Sequence, residues 1–170
     1  MRMARVVSLV VVAVLLCASV PVGAQQPVAP PPPQIPYGAP ISLEQAKKVM
    51  AGAEAEARKN NWNMVIAVLD SGGHLVMLAR MDGTQLGSID AAKDKAYSAV
   101  LYRRPTKVFQ DLVGQGGPNL RLLRLAGASP LEGGIPITVD GKIVGAVGVS
   151  GATSEQDAQV AKAGVEALGK

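Results

Sequence analysis

The chain reads as an α/β (α+β) domain in which helices pack on an antiparallel sheet of about five strands. Three observations lead there. Short β-branched apolar runs come in pairs joined by Gly-rich or Asp-Gly turns, which is how hairpins look in sequence. Apolar residues at helical spacing fill the stretches before, between and after those pairs. Hairpins outnumber strand–helix–strand crossovers, so the strands are expected to run antiparallel with helices laid on them.

Ser42-Leu43-Glu44-Gln45 is a capping-box pattern. Leu43, Ala46, Val49, Met50, Ala53 and Ala57 then recur on one face, which predicts a helix over 43–60, ended by Asn60-Asn61. Met64 to Asp70 and His74 to Met81 are apolar strands joined through Ser71-Gly72-Gly73. Ser88 is placed to cap a helix running to Tyr102, and Pro105 breaks it. Thr106 is the expected cap of a short helix holding Val108, Phe109, Leu112 and Val113. A glycine-rich loop, 114–118, precedes LRLLRLA (120–126), which fits strand or helix. Ile135–Val139 and Lys142–Val149 form a second hairpin about Asp140-Gly141, and a last helix through about Leu168 is capped at Thr153 or Ser154.

The domain, residues 41–170, is preceded by two segments of a different kind. Residues 1–24 have the three parts of a cleavable export signal. Arg2 and Arg5 supply charge, Val6 to Val20 the apolar run, and Val22-Gly23-Ala24 the small-residue cut site. The run is shorter than the roughly 20 residues of a spanning helix and Pro21 ends it, so a retained anchor fits less well. Residues 25–40 hold seven of the twelve prolines and read as an extended spacer. Removing the signal takes away Arg2 and Arg5, so the formal charge of +4 falls to +2, with 15 basic and 13 acidic residues. It also removes Cys17, the only cysteine, and with it disulfide, thiolate and Cys–metal chemistry. So small a positive excess, with few aromatics, gives no nucleic-acid footprint.

Within the domain the chemistry-bearing residues are few. The single histidine, His74, stands beside two glycines at a turn, either as a solvated turn residue or as a ligand or base. Arg80-Met81-Asp82-Gly83 places a guanidinium and a carboxylate at a sheet rim, as a local ion pair or as an arginine aimed at an anion. Gly133-Gly134-Ile135-Pro136 and Gly148-Val149-Ser150-Gly151 offer backbone N–H groups for an anion nest, or simply permit turns and close packing. Periodicity turns Lys93 to solvent and leaves Lys95 undecided between solvent and pocket. There is no G-x-S-x-G elbow and no second histidine for a metal cluster, so no catalytic set emerges.

Taken together, DSGGHLVMLARMDG (70–83), SIDAAKDKAYSA (88–99), GGIPITVDGKIVGAVGVSG (133–151) and the Gln156-Asp157 pair resemble the GlcG/HbpS-like haem-binding family. That family also includes the C-terminal domain of some cobalamin adenosyltransferases. The resemblance runs over about residues 41–168. It implies a profilin-like fold of about five strands, assembly into dimers or octamers, and haem as the ligand of some members. Haem degradation comes with the family label alone, as does a sensor partner. Arg80, Asp82, Lys95, Gly133, Gly134, Pro136, Ser150 and Gly151 are then the expected rim and pocket residues, and His74 and Thr106 the candidate nitrogen and oxygen ligands of the iron. The functional expectation is an exported haem-binding protein, periplasmic or extracellular. The alternative is a binding module for a small carboxylate or phosphate-bearing metabolite.

Overall fold

The computed structural model describes residues 34–169. The export signal, Cys17 and most of the proline-rich segment lie outside the described residues. Helix α1 (Leu43–Lys59) leads into strands β1 (Val65–Asp70) and β2 (Leu75–Arg80). Helices α2 (Ser88–Tyr102) and α3 (Lys107–Gly114) follow, then a 3-10 helix over Gly117–Arg124. Strands β3 (Gly134–Val139) and β4 (Lys142–Ser150) and helix α4 (Ser154–Leu168) complete the chain. The sheet is antiparallel throughout, in the order β2-β1-β4-β3.

Four strands form where about five were expected, because the ambiguous LRLLRLA segment coils into the 3-10 helix. Its leucines lack the alternation that would bury one strand face, and none of its residues is buried. Part of the missing edge is filled from the other end of the chain. Residues 36–41, assigned by composition mostly to the spacer, lie beside the start of β4. Ile143 N donates to Pro36 O, Gly38 N to Ile143 O and Ile41 N to Val144 O. Pro136 sits in the edge strand β3, where a missing N–H costs no ladder bond.

The predicted capping box at Ser42 forms, Ser42 accepting from Gln45 N; Thr153, one of the two expected caps of the last helix, accepts from Gln156 N and completes a second box. Two other expected caps do not form. Ser88 and Thr106 have no side-chain cap bond, since both hydroxyls turn inward to buried partners. The Asp140-Gly141 turn has both residues at positive φ, 49° and 71°, as a two-residue hairpin of this hand requires.

The sheet is covered on both faces. Helices α1 and α4 pack on one side over Ile66, Val68, Val147 and Val149. Helix α2 covers the other side over Val65, Ala67, Leu69, Ile143 and Ala146. It crosses the sheet at the paired glycines Gly134 and Gly148. A Cβ on Gly148 would enter the Ala92 carbonyl oxygen, and one on Gly134 the Lys95 carbonyl oxygen. With Ala92 and Ala96 also fully buried, the helix backbone rests nearly on the strand backbone.

Lys95 leaves this tight contact and runs inward. Its Nζ donates to Asp157 Oδ2 at 2.6 Å and to Val149 O at 3.0 Å. Each side chain is 3% exposed, so the pair is a buried link between α2 and α4. Asp157 Oδ1 also accepts from Ala152 N at 3.1 Å. A Cβ on Gly133 would stand 3.1 Å from Lys95 Nζ, so that glycine clears the ammonium's path. Burial pushes the Asp157 carboxyl above its ordinary range, against the pull of Lys95.

Two expectations follow. Gly148→Ala is expected to lose about 2–3 kcal/mol in urea unfolding through overpacking, whereas Gly114→Ala, which has open space around it, stays neutral or gains up to about 1 kcal/mol. Lys95→Met and Asp157→Asn are each expected to cost about 3–5 kcal/mol, while Lys95→Met/Asp157→Leu recovers most of that loss, because no charge is left buried alone. Because the folded state raises the Asp157 pKa, the folded chain binds that proton more readily than the unfolded one. Wild type should therefore gain stability relative to Asp157→Asn as the pH falls through the raised pKa towards 3.8, read from denaturation midpoints.

Candidate functional site

The β1–β2 turn holds the one imidazole in an ordered setting. Asp70 ends β1, and its Oδ1 accepts from Gly72 N at 2.8 Å and His74 N at 2.9 Å. The same oxygen lies 3.4 Å from His74 Nδ1, and the His74 side chain is 83% exposed. The hydrogen bonds of Asp70 go to the turn backbone, so it orders the turn and leaves the imidazole exposed beside it. Gly73, at φ 83°, turns the chain so tightly that a Cβ there would meet the Tyr97 ring at 2.9 Å.

Beside His74, its neighbours Gly73 and Leu75 line a hollow of about 220 Å³ together with Leu69, Lys93, Asp94 and Tyr97. Tyr97 projects from the outer face of α2, and a Cβ on Gly127 would touch its other edge at 2.9 Å. Past Tyr97 a second hollow of about 400 Å³ is lined by Asp94, Tyr97 and residues 127–131. Ser98 anchors that loop by accepting from Ser129 N at 3.0 Å. Leu69, Leu75 and Tyr97 give the first hollow an apolar part beside the charged Lys93 and Asp94, and His74 adjoins it in the chain without lining it. Lys93 is on the solvent side of α2, 3.1 Å from Asp90.

Arg80 and Asp82 lie elsewhere. They line a separate hollow of about 240 Å³ with Glu54, Arg58, Asn63 and Met81. Arg80 is six residue steps from His74 at the opposite end of β2, roughly 20 Å at strand spacing. One small ligand cannot use both.

The other expected site residues are structural. Thr106 is fully buried; its Oγ1 accepts from Gly134 N at 2.9 Å and its N donates to Gly134 O at 3.0 Å. A hydroxyl so placed presents no oxygen to an iron at the surface. Gly133 and Gly134 do not converge as an anion nest: the Gly134 N–H is taken by Thr106, and Gly133 O by Val149 N. A Cβ on Gly151 would enter the Asn63 carbonyl oxygen, so that glycine too serves close packing. Ser150 is buried and donates to Ser88 Oγ at 3.2 Å. Pro136 is a strand-edge residue, and Lys95 is consumed by Asp157. Among the described residues no group of three or more His, Cys, Asp or Glu is placed to hold a metal ion.

Reading the sequence alone passed over Asp70, Leu69, Leu75 and Tyr97 as site residues. The Asp70–His74 spacing around two glycines could have pointed to a turn closed by Asp70. The Tyr97 wall arises from packing between distant segments and has no local signal.

Comparison with known proteins agrees with this architecture. The family model described as haem degrading protein HbpS-like matches residues 41–166. Protein GlcG of Escherichia coli (strain K12) is 45% identical over 110 residues, 65% of this chain and 81% of that protein. A double mutant of Streptomyces reticuli HbpS is 33% identical with TM-score 0.70, covering 86% of this chain and 99% of that one. A structure of PduOC in complex with haem is 25% identical with TM-score 0.69, covering 76% of this chain and 95% of that one. With the family model matching residues 41–166 and the fold resembling those of solved relatives, the chain belongs to the HbpS-like family.

Proposed function

We propose that this chain is an exported haem-binding protein that takes its iron through His74. The observation that carries the reading is the exposed imidazole of His74, whose chain neighbours Gly73 and Leu75 line a hollow with Leu69, Tyr97, Lys93 and Asp94. Apolar walls suit the porphyrin, and the Lys93 ammonium suits a propionate. The hollow is smaller than the roughly 300–1,000 Å³ of an enclosing pocket, so it receives one edge of the macrocycle and leaves the rest at the surface. Family membership and the haem complex of PduOC support the choice of ligand. The basic, apolar leader at residues 1–24 supports export, into a compartment where free haem is met. Scavenging, storage or sensing of haem fits such a surface site, with self-assembly and a sensor as its partners. Haem breakdown rests on the family description alone.

A second reading has one observation in its favour. Arg58 and Arg80 face one hollow with Asn63, as a small carboxylate would require, although Glu54 and Asp82 offset their charge.

Titration with haem should produce a Soret band. His74→Ala is expected to shift it and weaken binding at least about tenfold, the cost of one strong polar contact. Thr106→Ala should lower stability and leave the band in place. A band indifferent to His74→Ala would refute the assignment. In calorimetry with glycolate, a carboxylate site would show heat in wild type that Arg80→Ala abolishes; equal traces would remove that second reading.

A further inference from the structure

We propose that the hollow at the Arg80 end of β2 and the one next to it form a single site for an α-amino acid with a flat side chain. The proposal rests on the carboxylate reading of the Arg80 hollow and adds a second charge to its ligand. That hollow is lined by two guanidiniums, Arg58 and Arg80, and by two carboxylates, Glu54 and Asp82. Their formal charges cancel, so a simple anion meets as much repulsion as attraction. A ligand carrying both signs on neighbouring atoms fits better: its carboxylate takes a guanidinium fork and its ammonium a carboxylate. Arg80 and Asp82 stand two residues apart, yet among the described residues no ion pair within 4.0 Å uses either. The Arg58–Glu54 pair is open at 4.0 Å. These charges are not spent on one another.

Asn63 lines this hollow and also a second one, of about 330 Å³, which it shares with Trp62, Thr84 and Gln85. The walls between them are anchored. Thr84 Oγ1 donates to Met81 O at 2.7 Å, with Met64 O at 3.2 Å, and Met81 N donates to Met64 O at 2.9 Å. These bonds fix the turn carrying Asp82 against the start of β1. Gly83, at φ 78°, lets Asn63 lie against that turn, for a Cβ there would stand 3.0 Å from Asn63 Nδ2. Trp62 is half-buried and packs against the core beneath α1 and α4. Its indole is therefore a fixed wall, and what remains uncovered suits a flat group. An amino acid whose charged head lies between Arg80 and Asp82 passes its side chain across Asn63 to Trp62.

Trp62 is the chain's only tryptophan, so its fluorescence in the haem-free protein reports on the site directly. Phenylalanine should change the emission saturably. Two analogues separate the charges: 3-phenyllactate has a hydroxyl for the ammonium, and phenethylamine lacks the carboxylate. Each should bind about tenfold more weakly or worse, the loss of one charged contact. Alanine, which lacks the ring, should be weaker than phenylalanine by a similar factor in calorimetry. Arg80→Ala and Asp82→Asn should each weaken phenylalanine about tenfold or more, with unchanged thermal melts. Phenyllactate binding as tightly as phenylalanine would overturn the proposal and leave the carboxylate reading standing. Alanine binding as tightly would overturn the joining of the two hollows. Phenylalanine binding that ignores either substitution, or no response to phenylalanine at all, would overturn the site itself; glycolate heat lost in Arg80→Ala would then support the carboxylate reading alone.

Discussion

Everything else in this domain depends on how closely α2 lies on the sheet. Gly134 and Gly148 are paired across β3 and β4 and have no side chains to hold the helix away. Ala92 and Ala96 come down on them, and Lys95 passes beside Gly133 to reach Asp157. A charged pair so deeply buried contributes little net stability compared with an apolar pair of the same shape. Its effect is positional: an ammonium that must find one carboxylate sets the rotation of α2 and ties it to α4 across the sheet.

That contact determines what the surface can offer. With the inner face of α2 spent on small residues and polar anchors, its outer face carries Asp90, Asp94, Tyr97 and Leu101 into solvent. The β1–β2 turn on one side and the Gly127 loop on the other rise beside Tyr97 and make shallow hollows of them. Asp70 holds the turn that carries His74 closed through two backbone N–H groups. The result is a shallow, partly apolar face with one exposed imidazole beside it.

Much of the domain was legible in the sequence for local reasons. The Ser42 capping box, the Thr153 cap, the Asp-Gly hairpin and the α2 span are set by residues within a few positions of each other, and the structure reproduces them. LRLLRLA was not legible, since its pattern suits two periods and only the absence of a sheet neighbour decides it. The site was less legible still. Glycine pairs look alike in sequence whether they cradle an anion or admit a helix, and here a helix occupies the space.

Apart from residues 120–126, the sequence by itself therefore determined the order and type of the elements, the antiparallel pairing and the family. Those follow from periodicity, turn chemistry and motif order, which act over short stretches of chain. Only the tertiary structure decided that Thr106, Lys95 and the glycines serve packing, and that Arg80 and His74 stand at opposite ends of one strand. It also decided that Tyr97 forms a wall beside His74. Each of these depends on which distant backbone comes within a few ångströms of which, and that distance is set by the seating of α2 on Gly134 and Gly148.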